Sequence, residues 1–344
     1  MRQKGFILIL LLFLIISLFG CSSQETTVPV KEDQPVVEVE DQEEKEEEEA
    51  PKFIAPLTGM PTDKDLSKTR IVGVMIENHF EARPQTGLEQ ADMVYEILAE
   101  GMITRFIAIY HSQEPEVIGP VRSIRPYYIH IIDGFDALIG HAGQSPQALV
   151  MLDQGQLPDL DEIRKAGAAY WRESFRSAPH NLYTNIEKLR AAAEQRNYRM
   201  DGYIPTFPFL EEGEMANGTL AKNININYYE NYVVDYQYDE ANQIYKRSVN
   251  GKPHADLETK EQLTAKNILV VHATHKIFDN VGRREVDVYG PGKGFLFQNG
   301  VVQEVTWERK DGVIRPFING KEQALHPGQT WTIFIPNITN VSYR

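Results

Sequence analysis

The stretch "MITRFIAIYHS" (Met102–Ser112) decides how the folded part of this chain reads. Its β-branched and aromatic residues follow one another almost without interruption, as in a strand. "RIVGVMIEN" (Arg70–Asn78) before it and "DALIGHAG" (Asp136–Gly143) after it share that texture and are bounded by Gly, Pro or Asn. "GLEQADMVYEILAEG" (Gly87–Gly101), "SPQALVMLDQG" (Ser145–Gly155) and "NIEKLRAAAEQRN" (Asn185–Asn197) space their apolar residues as helices do, and two of them end at a glycine. Strands alternate with helices, so the expectation is a mixed α+β fold that opens with an α/β layer domain.

Beyond a loop rich in Pro, Phe, Glu and Gly (202–218), the texture changes to short strands with hairpin turns at Asn250-Gly251, Asn299-Gly300, Asp311-Gly312 and Asn319-Gly320. This predicts an N-terminal α/β domain over 53–221 and a β-rich C-terminal module over 222–344. The boundary is soft, because strands of the second part can extend the sheet of the first.

Upstream, residues 1–20 read as a secretory signal: a basic start, then an apolar run from Gly5 to Phe19 that falls short of a membrane span. "LFGC" (Leu18–Cys21) resembles the lipobox of bacterial lipoproteins, which implies thioether-linked diacylglycerol on Cys21 and attachment to the outer face of the cell membrane. Cys21 is the only cysteine, which excludes an internal disulfide. Residues 22–52 hold twelve acids against three lysines and almost no large apolar residue, the composition of a self-repelling tether over 21–52. Of the total net charge of −14, about −7 remains on 53–344, which argues against a nucleic-acid partner.

The candidate site is a pair of basic clusters. "GPVRSIRPYYIH" (Gly119–His130) places Arg122 and Arg125 on a turn after a strand, and "HAGQSP" follows with His141. "YWRESFRSAPHN" (Tyr170–Asn181) adds Arg172, Arg176, His180 and Asn181 beside Trp171 and Phe175. Guanidinium forks suit carboxylates and phosphates, and in α/β folds ligands sit beyond the carboxyl ends of strands. Converged, the two clusters would bind an anionic cell-wall or lipid-linked ligand; unconverged, Arg122 and Arg125 would pair with Asp133, Asp136 and other acids, and Arg172 and Arg176 would lie on a solvated helix face. A transferase reading gives Arg105, Arg122 and Arg125 a pyrophosphate and Asp133 or Asp136 a metal. A protein-interaction reading rests on an aromatic patch at Tyr228, Tyr229, Tyr232 and Tyr236. No motif points to a cofactor or a metal: "HATH" (His272–His275) sends its histidines to opposite faces of a strand, and "GPGKG" (Gly290–Gly294) lacks the spacer of a phosphate loop.

"APLTGMP" (Ala55–Pro61), "ENHFEARPQTGLEQADMVYEILAEGMITRFIAIY" (Glu77–Tyr110), "GPVRSIRPY" (Gly119–Tyr127), "APHNLYT" (Ala178–Thr184) and "NGKEQALHPGQTWTIFIP" (Asn319–Pro336) resemble the YerB family of lipoproteins of Gram-positive bacteria. The resemblance implies a secreted, membrane-anchored protein in two parts and transfers no catalytic residue. The arginine turn followed by "HAG" and a helix is similar to wall-polymer phosphotransferases of the LytR-CpsA-Psr type. Here, however, Ser123 stands where an aspartate follows in those enzymes, and their Arg-Ser-Asp-Thr pattern is absent.

Overall fold

The computed structural model describes residues 51–155 and 157–344; the leader, Cys21 and nearly all of the acidic tether lie outside the described residues. The strands that position the site are β1 (Val72–Glu77), β2 (Met93–Leu98), β3 (Thr104–Tyr110), β4 (Leu138–His141) and β5 (Asp159–Asp161). Downstream come β6 (Asn223–Tyr229), β7 (Tyr232–Asp239), β8 (Ile244–Val249), β9 (Asn267–His272), β10 (Gly292–Gln298), β11 (Val301–Lys310), β12 (Val313–Ile318), β13 (Lys321–Glu322), β14 (Thr330–Ile335) and β15 (Val341–Tyr343). Helices α1 (Pro126–Asp133), α2 (Pro146–Gln154) and α3 (Ile186–Gln195) complete the frame. The fold is mixed α+β, as its sequence texture predicts.

One twelve-stranded sheet crosses residue 222. Its order is β13-β12-β11-β10-β9-β14-β2-β3-β1-β4-β5, with the short strand Thr219–Leu220 off the path on β11. β14, from the end of the chain, lies between β9 and β2 and runs parallel to both. β1 runs antiparallel to β3 and parallel to β4. The central strands are buried on both faces: every residue of β1, β2, β3 and β14 is buried. Alternate side chains therefore feed two cores. On one face Met75, Tyr95 and Ile107 pack with Tyr128 and Ile132 of α1 and Leu152 of α2. On the other, Val74, Val94 and Phe106 join Leu189 of α3 and Ile226, Val234 and Tyr236 of a second, six-stranded sheet built on β15-β6-β7-β8. The strands of that smaller sheet bury alternate residues only, so it has one covered face.

The helix expected over Gly87–Gly101 is instead strand β2. Apolar residues at almost every position of "MVYEIL" satisfy helical spacing, but here they face two cores at once, and burial on both sides favours a central strand. Its one charged residue, Glu96, is fully buried. Helix α1 lies outside the helices expected from apolar spacing: Pro126 opens its first turn, where a missing N–H costs nothing, directly after the arginine turn. Among the described residues no helix is long and apolar enough to cross a membrane.

Candidate functional site

The two basic clusters meet because the segment 118–122 runs as an irregular strand between three neighbours. Ile118 and Thr184 exchange backbone hydrogen bonds, Thr86 and Gly119 do the same, and Val121 N–H donates to Leu182 O at 2.7 Å. On its other side Pro120 O accepts from Glu77 N–H, and Arg122 N–H donates to Met75 O. Gly119 makes this possible: a Cβ there would stand 2.8 Å from both Leu182 O and the Tyr183 ring. Leu182 in turn pairs with Arg172. The loop carrying Arg172, Arg176, His180 and Asn181 is thus stitched to the carboxyl end of β1, beside that of its parallel neighbour β4.

Glu77, the last residue of β1, stands at the centre. Its Oε2 accepts from His180 Nδ1–H at 2.9 Å, and its Oε1 lies 3.0 Å from Arg122 Nε. The second contact is an ion pair without hydrogen-bond alignment, since Arg122 Nε has no hydrogen-bond partner among the described residues. The terminal nitrogens of Arg122 donate no hydrogen bond within the described residues, and 28% of its side chain is exposed. Beyond β1 the chain turns through His79, Phe80 and Glu81. The His79 and His180 rings stack with centroids 4.8 Å apart, and Glu81 Oε2 lies 3.1 Å from His180 Nε2 and 3.5 Å from His79 Nδ1. Burial, followed by the neighbouring His180, lowers the His79 pKa and favours its neutral form.

The remaining site residues divide between braces and rim. Arg176 donates to Ala82 O at 2.9 Å, to Pro84 O at 2.5 Å and to Tyr183 Oη at 2.9 Å, tying the 79–84 turn to the 171–183 loop. Asn181 accepts from Arg172 and donates to Glu173 O. Arg172 also reaches Glu162 at 3.6 Å, yet 47% of its side chain stays in solvent. Phe80 and Phe175 are exposed apolar rings on the same two loops.

Two expected ligand residues are engaged elsewhere. Arg125 turns away to Glu100, which Arg105 also grips at 3.1 Å, and donates to Ile124 O. Burial alone would raise the Glu100 pKa, but the two guanidiniums overcome it and hold the carboxyl below its usual range. His141 is fully buried, with Nε2 on Asp159 Oδ1 at 2.6 Å and Nδ1 on Gly143 O at 3.0 Å, so neither nitrogen is left for a ligand. Asp136, offered as a metal ligand, is occupied by Arg70, Arg199 and the Tyr203 N–H. The aromatic patch is largely internal: Tyr228, Tyr232 and Tyr236 are buried and only Tyr229 is partly exposed, because the covered face of the second sheet packs them inward. Sequence reasoning passes over Glu77, His79 and Glu81. Their signal is the polar run of "ENHFE", which begins on the last residue of a fully buried strand.

Comparison with known proteins places both halves of the chain. Residues 57–199 match the family described as "Protein of unknown function (DUF3048) N-terminal domain", and residues 224–332 match its C-terminal domain. The chain is 40% identical over 297 residues to "Putative lipoprotein YerB" of Bacillus subtilis (strain 168), covering 85% of this chain and 89% of that one. A crystal structure of YerB from Bacillus subtilis superposes with a TM-score of 0.79 at 39% identity, covering 85% of this chain and all of that one.

Proposed function

The chain belongs to the DUF3048 family, and we propose that it is a lipid-anchored, extracytoplasmic binding protein of the cell envelope that takes an anionic ligand at the rim around Glu77. The anchor is supported by "LFGC" and the acidic stretch behind it, and by the lipoprotein name of the Bacillus subtilis relative. In this reading residues 53–221 carry the rim and residues 222–344 back it through the shared sheet.

One observation carries the ligand reading. Arg122 is held by a single carboxylate through Nε, while its fork of terminal nitrogens stays undonated within the described residues at the surface. A planar guanidinium fixed at its neck and free at its tip suits a phosphate or carboxylate. Arg172 adds a second half-exposed guanidinium one strand away, across Leu182. Phe80 and Phe175 add ring faces against which the apolar side of a sugar can lie. The transferase alternative has less support: Arg105 and Arg125 are committed to Glu100, and Asp136 to two arginines.

The test uses the full lipidated chain on vesicles, with polyglycerol phosphate as anionic probe and dextran as neutral control. The expected result is salt-sensitive binding of the polyglycerol phosphate, lost in Arg122→Ala/Arg172→Ala and retained in Lys246→Ala, a control on the second sheet, where Lys246 pairs with Asp239. Equal retention of both polymers, or undiminished binding by the double variant, removes the reading.

A further inference from the structure

We propose that His79, Glu81 and His180 form a binding site for one divalent transition-metal ion, with zinc the best chemical match. The site shares His180 with the anionic rim but does not depend on the anion. Its three donor atoms lie within 4.8 Å of one another. Two of the separations, 3.1 Å and 3.5 Å, bracket the roughly 3.3–3.5 Å between ligand atoms that bonds of about 2.0–2.1 Å impose around a tetrahedral zinc ion. Only the edge between the two imidazoles must close. A turn of the half-buried His79 ring achieves that, at the cost of its weak 3.3 Å acceptance from Glu81 N–H.

The surroundings are those of a supported site. His180 donates Nδ1–H to Glu77, which fixes the tautomer, aims Nε2 outward and raises its basicity. Glu77 is in turn held by Arg122, and Arg176 locks together the two loops that carry the ligands. Two imidazoles with one carboxylate suit zinc and its neighbours rather than calcium or magnesium, which prefer oxygen shells. Glu81 is exposed, leaving the fourth position open to water or to a bound molecule. The buried group of His141 with Asp159 and Asp161 is no rival: Lys165 occupies Asp159 and the imidazole is fully bonded.

The test titrates zinc into the chelator-stripped full chain, against a chromophoric competitor and with no anionic polymer present, so that its outcome is separate from that of the anion reading. One equivalent should bind to the parent chain. Binding should disappear in His79→Ala and in His180→Ala, and should weaken about 10–100-fold in Glu77→Gln, which removes only the orienting carboxylate. Cobalt substitution should give the visible bands of a tetrahedral site in the parent and not in His180→Ala. Thermal melting separates loss of ligand from loss of fold, and His79, on an exposed turn, is the variant least able to disturb the core. No stoichiometric binding by the parent chain, or full binding by His79→Ala and His180→Ala variants that melt like the parent, overturns the proposal.

Discussion

The Glu77–Arg122 pair at the rim and the Glu96–Arg247 pair between the two sheets use the same chemistry in opposite ways. Both members of the inner pair are fully buried, 2.9 Å apart. Glu96 also accepts from Thr104 and Tyr232 hydroxyls, and Arg247 donates to Tyr236, Tyr232 and His254. The Arg247 guanidinium lies over Trp331, Tyr236 and Phe106 at 4.7–5.7 Å. The pair is saturated, and it joins β2 to β8 across the interior. The rim pair keeps a guanidinium tip in solvent. The two regions are linked: Gln85 donates to Glu77 O and Asn78 Oδ1 and accepts from His254 Nε2–H. What separates a structural charge from an available one here is the number of partners it already has.

The largest loss is expected from Arg247→Leu, which leaves Glu96 buried without its cation. It should cost about 3–5 kcal/mol in denaturant unfolding of the full chain. Gly119→Ala should follow, at more than about 1 kcal/mol, because its Cβ would meet Leu182 O and part the strand that joins the two loops. Arg122→Ala should cost only about 1–2 kcal/mol, as its partner Glu77 keeps His180. Acid should sharpen the contrast further. His254 is held neutral: burial lowers its pKa far below the ordinary value, and the neighbouring Arg247 adds to the shift. Its folded pKa is depressed, so protonation favours the unfolded chain, and stability should fall as pH drops below about 6.5, by up to about 1.4 kcal/mol per pH unit. Melting curves across that range should flatten in His254→Gln, whereas His79→Ala, with a smaller shift at the rim, should change the profile least.

Much of the frame was legible in the sequence. Within "RIVGVMIEN" and "QTWTIFIP", the segments Val72–Glu77 and Thr330–Ile335 become fully buried strands because both of their alternations carry apolar residues, leaving no face suited to solvent. β2 was not legible as a strand, since residues apolar on both sides fit either period until the partner surfaces are known. The two arginine clusters were visible, but their meeting was not. It depends on backbone bonds from Val121 to Leu182 and from Ile118 to Thr184, which spacing does not encode. Nor could residue type reveal that Arg125 and His141 are spent on Glu100 and Asp159, acids 25 and 18 residues away along the chain.

The most direct test of the account is labelling of the folded full chain with a guanidinium-selective dicarbonyl, read by peptide mass spectrometry with and without polyglycerol phosphate. Arg122 and Arg172 should label quickly and be protected by the polymer, while Arg247 stays unlabelled until the chain unfolds. Labelling of Arg247 as fast as Arg122, or no protection of either rim arginine by the polymer, would contradict it.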